Sequence, residues 1–499
     1  MADTLNRTSP ITGTVLPQGR PYWIVDGKAY DFTEWLKIHP GGSNWFGPSM
    51  GRDISAVVHT YHRDPAKLQK FLARYEIEGF TEKDILPKLG VPPFLLDPDF
   101  DATKDLPRLD FRDQGSLLAA IRTAVNARFS KKDLRRYDRG FDLVTWLLVG
   151  AHLATLVLLL TGVIPAWAFV VLQVVTRTSL AGAGHYHLHR RWRDQKKYAL
   201  PPLGKALFDV NYVGTSLIGT DGHVLLHHPY MGSGADVKKT FFDGMLRLHP
   251  VLRVPGYTLH KFGICLSGLS LRARELARFE APKQGKAPLR IDFWIVRALL
   301  LAEFVACLAT GHILAWAVQF VITLWFNTFL VVASHDFEDE KSEEEELAVI
   351  PERWRDDWAA RQICLSYDLT VVGNRWIDLW LSAGLSPHRV HHVLPYQGSG
   401  FANLATEKTV RAVCEENGIV WERPRNLLFN RFPAVIRHYL FCPVKALPRP
   451  PSGPPPAGGP PLPGRFPAGP MPPVQVRGVR GQLGEFLTYA WDGVRGFGV

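Results

Sequence analysis

The chain has 499 residues, a formal net charge of +11 and 46% hydrophobic residues. With 21% charged residues, this composition excludes a collagen-like or largely disordered chain. The five cysteines form no CxxC pair and are odd in number, so we expect free thiols in a reducing, cytosol-facing compartment. The mean hydropathy of -0.03 is typical of a soluble protein, but the segments described below depart from that mean in both directions.

The first part of the chain has the pattern of a small α/β unit. Residues 1–19 are polar and lack the apolar core of a signal peptide. Within residues 20–82, short strands are predicted at 22–25 and 29–32, around an Asp-Gly turn. His39 begins the tetrapeptide HPGG, and His62 ends the run GRDISAVVHTYH. Two histidines separated by helices can hold a haem iron from both sides. His59 competes with His62 for the second position.

Residues 20–82 resemble a cytochrome b5 domain. The resemblance is carried by HPGG and by GRDISAVVHTYH, which fits the family pattern G-[KR]-D-x-[ST]-x-x-[FV]-x-x-[FY]-H. It implies that haem b is bound, with His39 and His62 as its axial ligands. Residues 83–136 are then expected to be a linker and pre-membrane segment.

Two long charge-free stretches predict a membrane domain. The first, residues 143–176, would measure about 50 Å as one straight helix, whereas a bilayer core is about 30 Å thick. It must therefore fold back, and Gly162 to Pro165 supply the turn. The second, residues 304–334, has its break near Gly311. We expect four transmembrane helices in two hairpins, at about 141–161, 163–183, 292–310 and 312–333.

The basic residues predict how these hairpins are oriented. Both hairpin tips lack Lys and Arg, whereas HRRWRDQKK follows the first hairpin and RPRNLLFNR lies near the end. The positive-inside rule then places the N-terminus, the middle segment and the C-terminal segment in the cytosol. We read the positive charge as a membrane-surface signal and expect no nucleic-acid partner. Residues 443–473 hold fourteen of the 38 prolines, so residues 441–499 are predicted to be a disordered tail.

Histidines are concentrated next to the predicted membrane helices. They form the groups HYHLH, HVLLHH and HRVHH, and one more histidine follows the fourth helix. Residues four apart share a helix face, so the outer histidines of the first group project together. The second group has one residue more than the commoner HxxHH form, so local unwinding is expected there. The candidate metal ligands are His185, His189, His223, His227, His228, His335, His388, His391 and His392.

Nine imidazoles are too many for one ion, so these histidines predict a two-metal site. Imidazole suits iron, copper, zinc or nickel. A neighbouring haem supplies single electrons, which zinc does not need and iron uses when it activates O2. Asp221, Asp336 and Asp378 lie near the groups and are candidates for orienting the imidazoles. A capping or surface role is an equally good reading of each aspartate.

The layout of residues 20–430 resembles the membrane fatty acid desaturases that carry an N-terminal cytochrome b5 domain, and is similar to the cytochrome b5-related proteins of insects. The resemblance implies an α+β haem domain followed by an all-α integral membrane domain at 137–440, with a cytosolic histidine cap. It also implies that the nine histidines bind two non-haem iron ions. Front-end desaturases usually have Gln where His388 stands, so the chain departs from that group.

The resemblance further implies an enzyme that uses O2 to place a double bond in an acyl-lipid or acyl-CoA chain. Electrons would come from an NADH-cytochrome b5 reductase through the haem domain, at the endoplasmic reticulum. A lipid hydroxylase or acetylenase on the same scaffold stays open, because the histidine spacing does not separate these outcomes. A non-enzymatic membrane haem or electron-transfer protein also stays open as an alternative.

Overall fold

The computed structural model describes residues 22–39, 49, 53–79, 109, 115–190, 207–213, 223–233, 235–236, 238–239, 241–279, 291–336, 343–447 and 478–494. Several expectations concern residues outside these ranges. They are the polar segment 1–19, the Pro-Gly-Gly of the HPGG motif, most of the 83–136 linker, the basic run after the first hairpin, Asp221, and nearly all of the proline-rich run.

The described part of the chain is helical apart from two small strand pairs. The strands are β1 (Trp23–Val25), β2 (Lys28–Tyr30), β3 (Leu369–Thr370) and β4 (Arg425–Asn426). The longer helices are α1 (Ser55–Tyr61), α2 (Pro65–Leu72), α3 (Leu117–Arg128), α4 (Lys131–Leu160), α5 (Ala166–His189), α6 (Pro250–Phe279), α7 (Ile291–Ala309), α8 (Ile313–Ala333), α9 (Trp358–Cys364), α10 (Arg375–Leu381), α11 (His388–Val393), α12 (Gly400–Glu416), α13 (Phe432–Phe441) and α14 (Gly478–Val494). Single turns lie at Trp35–Lys37, His223–His227, His228–Tyr230, Asp243–Leu246, Glu343–Leu347, Glu352–Trp354 and Leu427–Arg431.

The N-terminal unit is built on the predicted hairpin. Strands β1 and β2 are antiparallel, with Trp23 opposite Tyr30. Asp26 and Gly27 have φ of 51° and 75°, the left-handed backbone that two-residue hairpin turns require. The hairpin packs on α1 and α2 through a small apolar core that includes Val58.

The two predicted turns between membrane helices are present. Helix α4 ends at Leu160, and α5 begins at Ala166 after Gly162 with a φ of 73°. Gly311, with a φ of 76°, separates α7 from α8. A positive φ costs glycine nothing, which explains why glycine stands at both turns.

Helices α4, α5 and α8 are long and apolar enough to cross a membrane. Their outward faces carry bare apolar side chains, such as Leu147, Trp167 and Leu314 at 64%, 71% and 74% exposure. Such a surface is unfavourable in water and suits lipid. The third predicted span corresponds to α7, whose described apolar part, Ala298–Ala309, is shorter. An ion pair between the buried Arg177 and Glu303 ties α7 to α5.

The histidine groups lie where these long helices meet a cap of short helices. The cap has its own apolar core, in which α3, α9, α11 and α12 pack together around residues such as Trp358 and Val410. Helix α11 is held between α9 and α12, and α12 also packs on α4. The cap therefore fixes the third histidine group relative to the first.

The end of the chain differs from the disordered tail expected for residues 441–499. Helix α14 packs along α6. The buried Glu485 carboxylate accepts a hydrogen bond from Arg247 Nε at 2.9 Å, and the Tyr489 ring stacks on His260. The expectation was wrong for residues 478–494 because the prolines stop at Pro473, and the sequence beyond them can form a helix.

The N-terminal unit docks on the cap. Arg122 of α3 donates a hydrogen bond to the backbone carbonyl of His59, and Arg63 Nη2 donates one to the carbonyl of Phe129 at 2.7 Å. Ala56 of α1 enters an apolar cluster with Tyr230 and its neighbours. Helix α1 therefore lies directly against the turn that carries the second histidine group.

Candidate haem and metal sites

The two predicted haem ligands face each other in the N-terminal unit. The ring centres of His39 and His62 lie 6.3 Å apart, with an angle of 31° between the rings. Metal–imidazole bonds of about 2 Å place two opposed nitrogens about 4 Å apart and their ring centres about 6 Å apart. The pair therefore has the spacing that an iron held from both sides requires.

Hydrogen bonds separate His62 from its competitor. His62 Nδ1 donates to the carbonyl oxygen of Val58 at 2.7 Å, which leaves Nε2 as the coordinating atom. Burial lowers the pKa of His62, so the ring stays neutral. His59 instead points its Nε2 at the Asp26 carboxylate, 2.8 Å away. This geometry favours His62 over His59 as the second ligand.

Five histidines from three segments meet in one cluster, which we call the first cluster. Its ligand nitrogens all lie within 4.8 Å of one another and come from His185, His189, His223, His228 and His391. The Nε2 atom of His223 lies 3.1 Å from those of His189 and His228. Nitrogens bound side by side to one ion at about 2 Å have this separation of about 3 Å.

The extra residue in the second histidine group is accommodated by the backbone. His223–His227 forms a π-helical turn, which is wider than an α-helical turn. Its extra width brings His223 and His228, five residues apart, to the same side. The unwinding expected from the HVLLHH spacing is therefore present.

The remaining ligand candidates form a second cluster beside the first. Ligand nitrogens of His227, His335 and His392 lie within 4.8 Å of one another. His388 joins them, because its Nε2 is 3.0 Å from that of His392. The two clusters touch where the rings of His228 and His392 stack with centres 4.3 Å apart. The nine candidates thus divide between two adjacent positions, and the division cuts across the sequence groups.

Hydrogen bonds orient the rings of the second cluster. His227 Nδ1 donates to the Asp236 carboxylate at 2.9 Å. His392 Nδ1 donates to Gln362 Oε1 at 2.8 Å, and His335 Nδ1 to the carbonyl of Leu365 at 3.2 Å. With Nδ1 engaged in each ring, Nε2 is the atom left to coordinate a metal, the arrangement common in metal-binding histidines.

The two clusters are mostly buried, and their rings are neutral. Eight of the nine candidate histidines are at most 7% exposed, and His223 is half-buried. Burial lowers the pKa well below the ordinary histidine range in the rings outside the membrane-spanning helices, namely His223, His227, His228, His335, His388, His391 and His392. Neutral imidazole is the form that binds metal.

Buried polar atoms test whether a metal fits. Nε2 of His391 is buried and has no hydrogen-bond partner among the described residues, although it lies in the first cluster. An unsatisfied buried nitrogen costs about 1–3 kcal/mol. A metal ion held by the surrounding nitrogens would satisfy it, so the donor set of the first cluster fits an imidazole-bound ion.

Sequence reasoning missed some of the partners. The Asp336 carboxylate accepts hydrogen bonds from Arg425 and Arg431, and that of Asp378 accepts from backbone N–H groups of its own loop. Among the described residues, neither carboxylate accepts a hydrogen bond from a histidine. Asp236 and Gln362 take that role, and neither stands at a fixed spacing from its histidine that a pattern could have revealed.

A further contact joins the first cluster to the N-terminal unit. The Tyr61 hydroxyl lies 2.6 Å from His189 Nδ1, and the two rings are nearly parallel, at 9°. Tyr61 directly precedes His62 in the chain. The two candidate cofactor sites are therefore linked through neighbouring residues.

Comparisons with known proteins agree with both sites. A family model described as fatty acid desaturase matches residues 161–424, and one described as cytochrome b5-like heme/steroid binding domain matches residues 14–78. An acyl-lipid omega-13 desaturase of Chlamydomonas reinhardtii is 23% identical over 474 residues, which are 84% of this chain and 93% of that protein. A cytochrome b5-related protein of Drosophila melanogaster is 23% identical over 233 residues, 45% of this chain and 43% of that protein.

A shorter match involves the Delta(5) fatty acid desaturase A of Dictyostelium discoideum, which is 41% identical over 56 residues, 11% of this chain and 12% of that protein. No solved structure matches the chain. The desaturase match covers more than half of the chain and contains all nine candidate metal ligands. The resemblance inferred from the sequence is confirmed: the chain belongs to the fatty acid desaturase family and carries an N-terminal cytochrome b5 domain.

Proposed function

We propose that this protein is an O2-dependent membrane lipid desaturase that uses two iron ions and receives electrons through its own haem domain. The observation that carries the proposal is the convergence of nine histidines, eight of them buried, on two adjacent positions beside a second, haem-type histidine pair. A haem domain can donate single electrons only to a metal that changes its oxidation state. Iron does so and zinc does not, which favours iron.

Each part of the histidine site has a role in this proposal. His185, His189, His223, His228 and His391 would hold one iron, and His227, His335, His388 and His392 the other. Bound there, the iron pair would supply the activation of O2 needed to remove two hydrogens from adjacent carbons of an acyl chain. Asp236 and Gln362 keep the rings of the second position in their coordinating orientation. The dry surroundings protect the reaction from competing proton and water chemistry.

The overall reaction fixes how many electrons the haem must deliver. Reducing O2 to two waters takes four electrons and four protons. The acyl chain supplies two of the electrons and two of the protons as it becomes an alkene. The haem domain, with His39 and His62 as axial ligands of haem b, would supply the other two electrons one at a time. An NADH-cytochrome b5 reductase is the proposed donor.

The proposal includes a membrane topology. Helices α4, α5, α7 and α8 would form the four spans, with the haem domain and the histidine cap in the cytosol at the endoplasmic reticulum. The basic segments outside the hairpins support this orientation. The Chlamydomonas relative, which aligns with most of the chain, is named for an acyl-lipid substrate, so acyl-lipids are the first substrate class to test.

Expression in a host with a simple lipid profile tests the proposal. Fatty acids would be analysed by gas chromatography and mass spectrometry, and a matched His391→Ala chain would be grown alongside with a co-expressed reductase. We expect a new double bond with the parent chain and none with His391→Ala, at equal protein and haem content. An unchanged lipid profile, with haem and reductase both present, would contradict a desaturase.

The same experiment separates the alternatives. Hydroxylated or acetylenic products without a new double bond would identify a hydroxylase or acetylenase. Iron analysis of the purified chain provides a second check. We expect about two non-haem irons per chain besides the haem, and haem iron alone would point to an electron-transfer protein.

A further inference from the structure

The contact between Tyr61 and His189 joins two domains at one hydrogen bond. Tyr61 is the last residue of α1 in the cytochrome b5 domain, and His189 is the last residue of α5 in the desaturase domain. Their hydroxyl oxygen and Nδ1 are 2.6 Å apart, a short and well-formed hydrogen bond. The stacked rings, whose centres lie 6.1 Å apart, set the orientation of this contact.

On the iron side, the hydrogen bond leads straight to the first cluster. The Nε2 atom of His189 lies 3.1 Å from that of His223, so this atom faces the coordination position. The opposite ring nitrogen, Nδ1, is the one that contacts Tyr61. In most metal-binding histidines this second nitrogen bonds a carboxylate, a backbone carbonyl or water. Here the partner is a phenol that belongs to another domain.

On the haem side, the path is covalent. Tyr61 is bonded to His62, the proposed haem ligand, through one peptide bond. His62 is itself fixed by its Nδ1 hydrogen bond to Val58. From His62 to His189, the chain therefore offers a route of covalent bonds and a single hydrogen bond, with no step through space.

The docking contacts around Tyr61 keep this route assembled. Arg122 and Arg63 make hydrogen bonds to backbone carbonyls across the domain boundary on either side of His62. Ala56, one turn and a half before Tyr61 on α1, is buried with Leu226 of the second histidine group and with Tyr230 just after it. The boundary is thus packed at both ends of α1.

We propose that Tyr61 is the positioning residue through which electrons pass from the haem of this chain to the iron pair, by its hydrogen bond to His189. This inference rests on the proposed function. In each transfer a ferrous haem becomes ferric and a ferric iron of the pair becomes ferrous. Tyr61 gains and loses no proton, and no bond changes. Two transfers supply the two electrons that the desaturation requires beyond those of the acyl chain.

The test measures haem oxidation rather than product alone. The full chain, loaded with haem and iron, is reduced without oxygen and then mixed rapidly with oxygenated buffer while the ferrous-haem absorption is followed. An iron-depleted sample gives the background rate. Tyr61→Phe keeps the stacked ring and removes the hydroxyl. Tyr75→Phe makes the same change elsewhere in the cytochrome b5 domain and is the control.

We expect the iron-dependent phase of haem oxidation to slow by about tenfold or more in Tyr61→Phe, the size of the loss in activity that commonly follows removal of a metal ligand's hydrogen-bond partner. Tyr75→Phe should match the parent chain. Iron content, haem spectrum and haem midpoint potential should be the same in all three chains. A small reductant such as the methyl viologen radical, which reaches the iron without the haem, should restore product formation in Tyr61→Phe.

Two results would overturn the role of Tyr61. One is an unchanged rate in Tyr61→Phe at full iron content, and the other is loss of iron from that variant, since Tyr61 would then only hold His189. The failure of the proposed function gives a different result. In that case the parent chain makes no product even with methyl viologen and shows no iron-dependent phase.

Discussion

At the scale of single residues, Asp236 shows how one carboxylate can hold a proposed metal ligand in place. It accepts hydrogen bonds from His227 Nδ1 and from the backbone N–H groups of Gly232 and Lys238, at 2.9 to 3.0 Å. The two backbone hydrogen bonds hold the carboxylate in position independently of the imidazole. His227 therefore has one ring orientation, with Nε2 toward His335 and His392.

We expect Asp236→Asn to weaken iron binding at the second position by about tenfold, because the neutral amide holds the imidazole less strongly than a carboxylate does. The measurement is the non-haem iron that each purified chain retains against increasing chelator. Asp356→Asn, at an exposed position in the cap, is the matched control. Equal iron retention in both variants would show that Asp236 does not support the site.

The sequence predicted the candidate metal ligands better than the residues that orient them. Histidine spacing identified eight of the nine residues that the structure brings together, because spacing along a helix determines which side chains share a face. The ninth, His335, was a candidate because it follows the fourth predicted membrane helix. The orienting residues depend on tertiary contacts. Asp336 and Asp378 lie close to a predicted membrane helix or a histidine group in the sequence. In the structure, however, their carboxylates accept hydrogen bonds from Arg431 and from the backbone N–H of Val372, not from a candidate ligand among the described residues.

At the scale of helices, α6 and α14 approach closely because glycines line their contact. A side chain at Gly263 would meet the backbone nitrogen of Val494 at 2.6 Å, and one at Gly493 would meet His260 Cα at 2.7 Å. Gly484, on the same helix α14, has open space around it. The close contact therefore depends on particular glycines rather than on the glycine content of the helix.

Gly493→Ala and Gly484→Ala make a matched pair on this helix. The first should loosen α14, since its methyl group collides with backbone that cannot move aside, and should lower the midpoint of thermal unfolding. The second should leave the midpoint unchanged or raise it, because alanine is favoured over glycine in a helix by about 1 kcal/mol. Hydrogen exchange across residues 478–494 provides a local readout. Equal exchange in the two variants would contradict the packing.

Two elements of the structure differ in how far the sequence predicts them. The π-helical turn at His223–His227 could be foreseen, because the extra residue cannot fit an α-helical face. Helix α14 could not, because a proline-rich run stands before it and composition averaged over residues 441–499 hides the proline-free segment. Its burial depends on α6, about 200 residues earlier in the sequence, and local patterns carry no information on such contacts.

At the scale of the whole molecule, the buried Arg122 helps to join the two domains. Its guanidinium belongs to α3 and donates to the carbonyl oxygen of His59 in the cytochrome b5 domain. We expect Arg122→Met to weaken docking by about 2 kcal/mol, the usual cost of losing a charge-assisted hydrogen bond to a buried acceptor. Hydrogen exchange in α1 should then rise, while the haem spectrum stays unchanged.

Arg136→Met, on the exposed surface of α4, is the control for the loss of a positive charge. Exchange in α1 that responds equally to both substitutions would show that Arg122 does not hold the domains together.

The sequence predicted each domain from its own motifs, but it gave no indication of how they dock. The two arginine contacts that join them are made to backbone carbonyls, which leave no trace in residue type.

Docking also determines the kinetic order of electron delivery. A separate carrier must diffuse to its acceptor, so its rate falls as the proteins become dilute in the membrane. A domain tethered in the same chain works at an effective concentration on the order of millimolar, whatever the amount of protein. With α1 seated against the histidine cap, the proposed haem-to-iron transfer would be a first-order process. A cell could then vary the expression of this protein widely without changing the time that each molecule takes per electron.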